Sequence, residues 1–196
     1  MANVYIFGAG GHARVIASFL KATPIFVVDS PSDPTIMSVT DYFNLLPKGD
    51  AYIGIGTNSA RQRISERLRA AKIRTPACIA PTAFVARDAT IGDGAVICAG
   101  AVVGSKANIG CYTIVNTLSS VDHDCTLGDL SQVTAGVTFG GTVTVGVNCF
   151  FGIKSAVIPN KEIGDNVQVM AGSLIVSNVP PNVMMGGNPA RIVRKL

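Results

Sequence analysis

The chain contains two histidines, and each stands beside residues that could take part in chemistry. His123 lies within residues 121–125 (VDHDC). Its imidazole, with an ordinary pKa near 6.5, can take a proton from an attacking amine or hydroxyl at neutral pH. The carboxylate of Asp124 could hold one tautomer of the ring and stabilise its charged form. The sequence therefore predicts His123 as a general base, with Asp124 either its partner or an ordinary turn residue.

The second histidine, His12, closes a glycine turn, residues 8–12 (GAGGH). The turn follows an apolar run, residues 4–7, and precedes a helical pattern with Val15 and Ile16 on one face. Strand, glycine turn and helix open a dinucleotide-type βαβ unit, in which the turn presents backbone N–H groups to a phosphate. His12 is interpreted either as a cap of that helix or as a ligand contact.

The elements after this turn extend the same layout. A second strand, residues 25–28, ends at Asp29, about twenty residues past the glycines, where a ribose or base contact is usual. A third strand, residues 51–55, leads into a helix whose basic side chains, Arg61 among them, are expected on the solvated outer face. Residues 1–76 are about half a complete dinucleotide-binding domain, which suggests half a ligand: one nucleoside diphosphate.

The rest of the chain, residues 77–196, has a strict six-residue period. Every sixth residue from Ile79 to Ile175 is aliphatic or Phe, and the residue two places before each is small or β-branched, except Lys161. Residues two apart on a strand point to the same face, so each repeat sends one large and one small side chain inward and then turns. Three repeats would form one 18-residue triangular coil of a parallel β-helix.

The corners of such a coil need unusual backbone angles. A glycine follows the large residue in every third repeat, and we expect these glycines to adopt positive φ, as asparagines do at Asn148 and Asn166. The glycines concerned are Gly92, Gly110, Gly128, Gly146 and Gly164.

Composition excludes several classes of protein. Although 48% of the residues are apolar, the longest apolar runs fall far short of the roughly 20 residues of a membrane span. No secretory signal is visible, and five cysteines without a CxxC pair indicate free thiols in a reducing cytoplasm. A net charge of +4 suits a phosphate-bearing small ligand better than nucleic acid. Two separate histidines and no cysteine cluster predict no metal site.

Three motifs together resemble one family. They are GAGGH at residues 8–12, IGTN at residues 55–58 and VNTLSSVDHDCTLGD at residues 115–129. This combination resembles the PglD/NeuD group of bacterial nucleotide-sugar N-acetyltransferases and sialic acid O-acetyltransferases, and the likeness covers nearly the whole chain. The resemblance implies a left-handed β-helix, a homotrimer, and acetyl-CoA bound in the groove between adjacent β-helices.

The resemblance also implies roles for individual residues. His123 would be the base, Asp124 its polarising partner, and Asn116 a lining residue of the same site. The nucleotide part of the acceptor would be held by Gly10, Gly11, His12, Asp29 and Gly56. The pantetheine arm would meet the main chain at Gly141, Ile153 and Ala171, with Gly172 beside them. Arg191, Arg194 and Lys195 would either meet the CoA 3′-phosphate or form a solvated basic tail.

One position departs from the family pattern. Gln132 stands where many members carry a second histidine near the thioester. Glutamine can donate a hydrogen bond but cannot titrate. This favours a mechanism with one base, in which the acceptor attacks the thioester directly and a backbone N–H, such as that of Gly141, meets the oxyanion. Cys125 belongs to the inward small series and is interpreted as core, not as a nucleophile.

Three functions fit these residues. The first is N-acetylation of a UDP- or dTDP-linked 4-amino-4,6-dideoxy sugar for surface glycan synthesis. The second is O-acetylation of sialic acid or another sugar hydroxyl. The third, from another class, is a catalytically inactive subunit that only binds a nucleotide sugar.

Overall fold

The fold is described for residues 3–196 from a computed structural model. The chain divides into two compact units, one ending at Cys78 and the other beginning at Ile79. Each is described by itself below.

The N-terminal unit is a small α/β domain. Its elements are β1 (Asn3–Phe7), α1 (Gly11–Phe19), β2 (Ile25–Val28), β3 (Met37–Ser38), α2 (Val39–Leu45), β4 (Gly49–Ile53) and α3 (Asn58–Ala70). The strands are all parallel, in the order β3-β2-β1-β4. In this order the chain crosses from one side of β1 to the other, which leaves a crevice at the carboxyl ends of β1 and β4.

The helices of this unit differ in part from the sequence prediction. In α1 the buried side chains are Ala13 and Ile16, whereas Val15 is exposed, so the expected inner face was misplaced by part of a turn. The helix α2 was not predicted from the sequence. Its Tyr42 packs edge-on against Tyr5 and Phe7 at ring distances of 5.1 and 4.8 Å, so aromatic packing secures this short helix.

The C-terminal unit is a β-helix built of two-residue strands. In chain order they are β5 (Cys78–Ile79), β6 (Phe84–Val85), β7 (Thr90–Ile91), β8 (Val96–Ile97), β9 (Val102–Val103), β10 (Asn108–Ile109), β11 (Ile114–Val115), β12 (Ser120–Val121), β13 (Thr126–Leu127), β14 (Gln132–Val133), β15 (Thr138–Phe139), β16 (Thr144–Val145), β17 (Phe150–Phe151), β18 (Ala156–Val157), β19 (Glu162–Ile163), β20 (Gln168–Val169) and β21 (Leu174–Ile175). The hairpin of β22 (Val183–Gly187) and β23 (Ala190–Lys195) closes the chain.

These strands stack into three parallel sheets. Sheet I contains β5, β8, β11, β14, β17, β20 and the closing hairpin, sheet II contains β6, β9, β12, β15, β18 and β21, and sheet III contains β7, β10, β13, β16 and β19. Asn108 pairs with Thr126 and Thr126 with Thr144, a spacing of 18 residues per coil. This confirms the predicted period and the left-handed β-helix. Its core is the inward series, from Ile97 to Ile175, almost wholly buried.

The corners turn through residues of positive φ, which recur every sixth residue from Gly94 to Gly172. Asn148 and Asn166 belong to this set, as predicted. The glycines that follow the large residues do not, so the reason given for them was wrong. A Cβ on Gly92 would lie 2.6 Å from the nitrogen of Cys111, in the next coil. These positions are glycine because the next coil passes too close for any side chain.

Candidate active site

His123 lies at the corner between sheets II and III, where β12 ends and β13 begins. Asp124, the next residue, is the positive-φ residue of this corner, with φ 57°. The His123 side chain is 58% exposed, so it points outward as the spacing predicted. A backbone hydrogen bond from Thr142 N–H to the carbonyl of His123 (2.9 Å) joins this corner to the next coil.

Two acidic neighbours contact His123, Asp122 at its backbone and Asp124 at its ring. Asp124 Oδ2 lies 2.8 Å from Nδ1, and Asp122 Oδ1 accepts the backbone N–H of His123 at 2.7 Å. The hydrogen bond that the ring donates to Asp124 raises the pKa of His123 above its ordinary value, and the charges of Asp122 and Asp124 act in the same direction. With a proton on Nδ1 directed at Asp124, Nε2 is the nitrogen that can take a proton from a reactant.

Gly141 lies directly beside this ring, one coil later. A Cβ on Gly141 would lie 2.5 Å from Cε1 of His123 and closer still to Nε2. Its φ is not positive, so the backbone conformation does not demand glycine here. The missing side chain makes room for the imidazole. The carbonyl of Gly141 accepts from Asn160 N–H (3.0 Å), which joins this corner to the following coil.

The other predicted cofactor and lining residues lie at a different corner. Asn116 follows β11 at the corner between sheets I and II, where its Oδ1 accepts from the backbone N–H of Thr117 at 2.8 Å. Ile153 and Ala171 occupy the same corner in later coils, and Gly172, with φ 68°, is its positive-φ residue. The carbonyl of Ile153 accepts from Gly172 N–H (2.8 Å). One chain therefore holds the predicted site in two parts, separated by the width of sheet II.

Gln132 lies on the outer face of sheet I, in β14, with its neighbour Val133 in the core. Its Oε1 is buried and has no hydrogen-bond partner within residues 3–196. A buried amide oxygen without a partner is costly, so this atom is a candidate contact for a group outside the single chain.

Cys125 is a core residue, as interpreted from its place in the repeat. The side chain is 1% exposed, its Sγ donates to the carbonyl of Gly140 at 3.2 Å, and the N–H of Val143 donates to Sγ at 3.4 Å. Burial raises the pKa of the thiol. A protonated, enclosed thiol does not serve as a nucleophile.

In the N-terminal unit, three of the predicted nucleotide-binding residues surround open space. A Cβ on Gly10, Gly11 or Gly56 would meet no atom within 4 Å, and none of the three has positive φ. By contrast, Gly8 has φ 101°, and a Cβ added to Gly54 would clash with Ala13. The fold itself therefore requires glycine at both positions. The three open glycines follow β1 and β4 at the crevice, where they leave the backbone accessible to a ligand.

His12 stands beside this crevice but does not cap α1. The N-cap residue is Gly10, which makes no side-chain cap, so the cap interpretation of His12 was wrong. Burial, followed by the charge of Arg61, lowers the pKa of His12 to about 4, so the ring is neutral at neutral pH. Its Nε2 is buried and has no hydrogen-bond partner in the described part of the chain.

Arg61 is not on a solvated face, contrary to the sequence expectation. It is 1% exposed, and its guanidinium donates to the carbonyls of Ile55 (3.2 Å) and Gly56 (2.9 Å) and to Oδ1 of Asn58 (2.8 Å). Burial lowers its pKa to about 10, which still leaves it charged at neutral pH. The spacing could have indicated that Arg61 is buried, because Arg61 lies three residues before Ile64 and shares its buried helix face.

Asp29 lies just after β2, at the same carboxyl edge of the sheet. It is well exposed, and its Oδ2 is 3.8 Å from Nη2 of Arg63. An exposed pair at this distance contributes little to stability, so Asp29 can exchange Arg63 for a ligand hydroxyl at small cost.

Within residues 3–196, a metal cluster, a disulfide bond and a membrane-spanning helix are all absent. Among residues 3–196, no three His, Cys, Asp or Glu side chains are grouped as a metal would need. The five cysteines are free. No helix in the described part of the chain has both the length and the apolar character needed to cross a bilayer.

Comparison with known proteins agrees with the architecture. The PglD N-terminal domain family matches residues 3–68, and no curated protein sequence matches the chain. A perosamine N-acetyltransferase from Caulobacter crescentus, a histidine-to-asparagine variant in complex with CoA and GDP-perosamine, is 29% identical with a TM-score of 0.93. The match covers 98% of this chain and 97% of that one.

A second solved structure has the same fold and a slightly higher sequence identity to this chain. The acetyltransferase domain of PglB from Neisseria gonorrhoeae, in complex with acetyl coenzyme A, is 30% identical over 97% of this chain and 98% of that one, with a TM-score of 0.91. Similarity at this level along almost the whole of both chains covers both units of the fold. This chain belongs to the PglD/NeuD-type family of hexapeptide-repeat sugar acetyltransferases.

Proposed function

We propose that this sugar N-acetyltransferase moves an acetyl group from acetyl-CoA to the amine of a nucleotide-linked 4-amino-4,6-dideoxy sugar, with His123 as the general base. The observation that carries the proposal is the outward His123–Asp124 pair lying on Gly141. The similar enzymes with bound CoA, acetyl-CoA and GDP-perosamine supply the class of donor and acceptor.

The proposed reaction needs no covalent enzyme intermediate. The amine nitrogen attacks the thioester carbon, and Nε2 of His123 takes the proton that the nitrogen loses. The carbonyl oxygen becomes an oxyanion that the N–H of Gly141 can stabilise. When the C–S bond breaks, the imidazolium returns the proton to the departing CoA thiolate. Asp124 stabilises the imidazolium between these two steps, as the raised pKa of His123 indicates.

The N-terminal unit would hold the nucleotide. The open glycines Gly10, Gly11 and Gly56 would allow a diphosphate to approach the backbone, His12 would offer a neutral ring nitrogen, and Asp29 would accept from the ribose or base. This unit has half the length of a dinucleotide-binding domain, in keeping with a single nucleotide.

A homotrimer would complete the site. His123 and Gly141 lie at one corner of the β-helix, while Asn116, Ile153 and Ala171 lie at another, so a neighbouring copy must bring the second corner to the first. The surface between them carries exposed apolar side chains, with Phe84 60% exposed on sheet II and Leu118 71% exposed at the corner between sheets I and II. Exposed apolar patches of this kind mark protein interfaces.

The first test is release of free thiol from acetyl-CoA by the purified protein. The acceptor panel holds GDP-, UDP- and dTDP-linked 4-amino sugars, with sialic acid and CMP-sialic acid alongside. Turnover on an amino sugar supports the proposal. Turnover only on a sialic acid would replace it by O-acetylation, and binding of a nucleotide sugar without turnover on any acceptor would favour the inactive subunit.

The trimer has its own test, which uses two inactive chains. We expect His123→Ala and Asn116→Ala each to be inactive alone. When both are refolded together they should recover about a quarter of wild-type activity, because each site takes one corner from each of two neighbours. A stable monomer in light scattering, or no recovery on mixing, would contradict the shared site.

For the biological setting of the reaction, we propose that the protein acts in the cytoplasm, in the synthesis of surface glycans.

A further inference from the structure

Arg61 lies beneath the turn that joins β4 to α3. One nitrogen, Nη1, donates to the carbonyls of Ile55 and Gly56, and the other, Nη2, donates to the side chain of Asn58. The guanidinium therefore joins three oxygens of one short turn from its buried side. The same turn carries Gly56, which opens onto the crevice.

These hydrogen bonds determine where the N–H groups of the turn point. In a trans peptide the carbonyl and the following N–H point in opposite directions. Because the carbonyls of Ile55 and Gly56 point to Arg61, the N–H groups of Gly56 and Thr57 point away from it. Two successive N–H groups on one side of a turn form a concavity suited to an anion.

We propose that Arg61 is a positioning residue for the nucleotide diphosphate: by holding the carbonyls of Ile55 and Gly56 inward, it aims the N–H groups of Gly56 and Thr57 at a phosphate in the crevice. This role rests on the proposed function, because the nucleotide part of the acceptor supplies the diphosphate. It assigns Arg61 no contact with the sugar or with acetyl-CoA.

The electrostatics of the crevice agree with an anionic ligand. Arg61 stays charged at neutral pH beneath the turn, whereas the nearby His12 is neutral, so the net charge of this pair is positive behind the crevice. Lysine could replace the charge but not the fork of donors, because an ammonium is a point charge without the planar geometry that bridges several oxygens.

The experiment compares three variants by isothermal titration with UDP, GDP and dTDP, each alone. Arg61→Met removes both charge and fork, and Arg61→Lys removes the fork only. Arg69→Met is the matched control, since it makes the same charge change at an exposed position near the end of α3. We expect the nucleoside diphosphate that the wild type binds to bind about 10- to 100-fold more weakly to Arg61→Met, and several-fold more weakly to Arg61→Lys. Arg69→Met should match the wild type.

Kinetics separate positioning from general damage. On the amino-sugar acceptor, Arg61→Met should raise the KM for the nucleotide sugar while kcat and the KM for acetyl-CoA stay within about twofold. If Arg61→Met melts below the assay temperature, the same KM and kcat comparison is made with Arg61→Lys, which keeps the charge. An equal loss of acetyl-CoA affinity would indicate a purely structural role and overturn the inference.

The remaining outcomes distinguish this inference from the proposed function. If the wild type binds a diphosphate and both Arg61 variants bind it equally well, Arg61 has no positioning role. If the wild type binds none of the three but acetylates an amino-sugar acceptor, the proposed function stands and the role of Arg61 in diphosphate binding fails. If no acceptor is acetylated but diphosphate binding still depends on Arg61, the proposed function fails and the role of Arg61 stands.

Discussion

The contact between His123 and Gly141 allows one added methyl group to test the catalytic proposal. In Gly141→Ala the new Cβ would lie 2.5 Å from Cε1 of the imidazole, whereas comfortable contacts between such atoms are about 3.5 Å. The ring must therefore move by about 1 Å. The backbone can keep its conformation, because φ at this position is not in the left-handed region.

The expected effect is large on kcat and small on stability. A displacement of about 1 Å in a catalytic group can cost about 100-fold in rate, which corresponds to about 2.7 kcal/mol of transition-state free energy. The imidazole is largely exposed, so it can swing into solvent and relieve the contact. The free energy of unfolding should change by no more than about 0.5 kcal/mol.

The assay measures thiol release from acetyl-CoA at saturating acceptor, with acetyl-CoA binding and thermal melting measured alongside. The decisive comparison is a double-variant cycle with His123→Ala, which should itself lose about 10²- to 10⁴-fold in kcat. If the methyl acts through the ring, Gly141→Ala should cause little further loss once the ring is absent. Arg87→Ala, at the same corner in an earlier coil and exposed, serves as the control and should keep wild-type kcat.

Two results would refute the reasoning. Wild-type kcat in Gly141→Ala would show that the position of the ring does not matter to the reaction. A further large loss in the double variant would show that the methyl acts on something other than His123, such as the bound thioester.

Three more predictions follow from the same geometry. Asp124→Asn removes the main cause of the raised pKa of His123, so the acidic limb of kcat/KM should move to lower pH and kcat should fall; an unmoved limb in the pH–rate profile would contradict this. Gly128→Ala would place a Cβ 2.5 Å from the carbonyl carbon of Gly146, so urea unfolding should show a loss of about 1–3 kcal/mol, and an unchanged midpoint would be inconsistent with close coil stacking. Gly56→Ala should leave the melting temperature unchanged but weaken nucleoside diphosphate binding in titration, and equal binding would argue against a ligand in the crevice.

The six-residue period determined the architecture of the β-helix without help from the structure. A coil can only stack on itself if every repeat sends the same large residue inward, so the regularity from Ile79 to Ile175 leaves little choice of fold. The same period placed His123 two residues past an inward position, and hence outward. The first glycine turn could also be predicted from the sequence, because its strand, turn and helix are contiguous in the chain.

Tertiary structure decided what depends on contacts between distant residues. Position 92 is glycine because the backbone of Cys111 in the next coil leaves no room for a side chain, and position 141 is glycine because the ring of His123 fills that space. The local sequence reveals neither contact. Arg61 was expected in solvent because charged residues usually are. It is buried because the carbonyls of the β4–α3 turn converge on it. Short-range periodicity fixes which way a side chain points, but only the packed chain determines what that side chain meets.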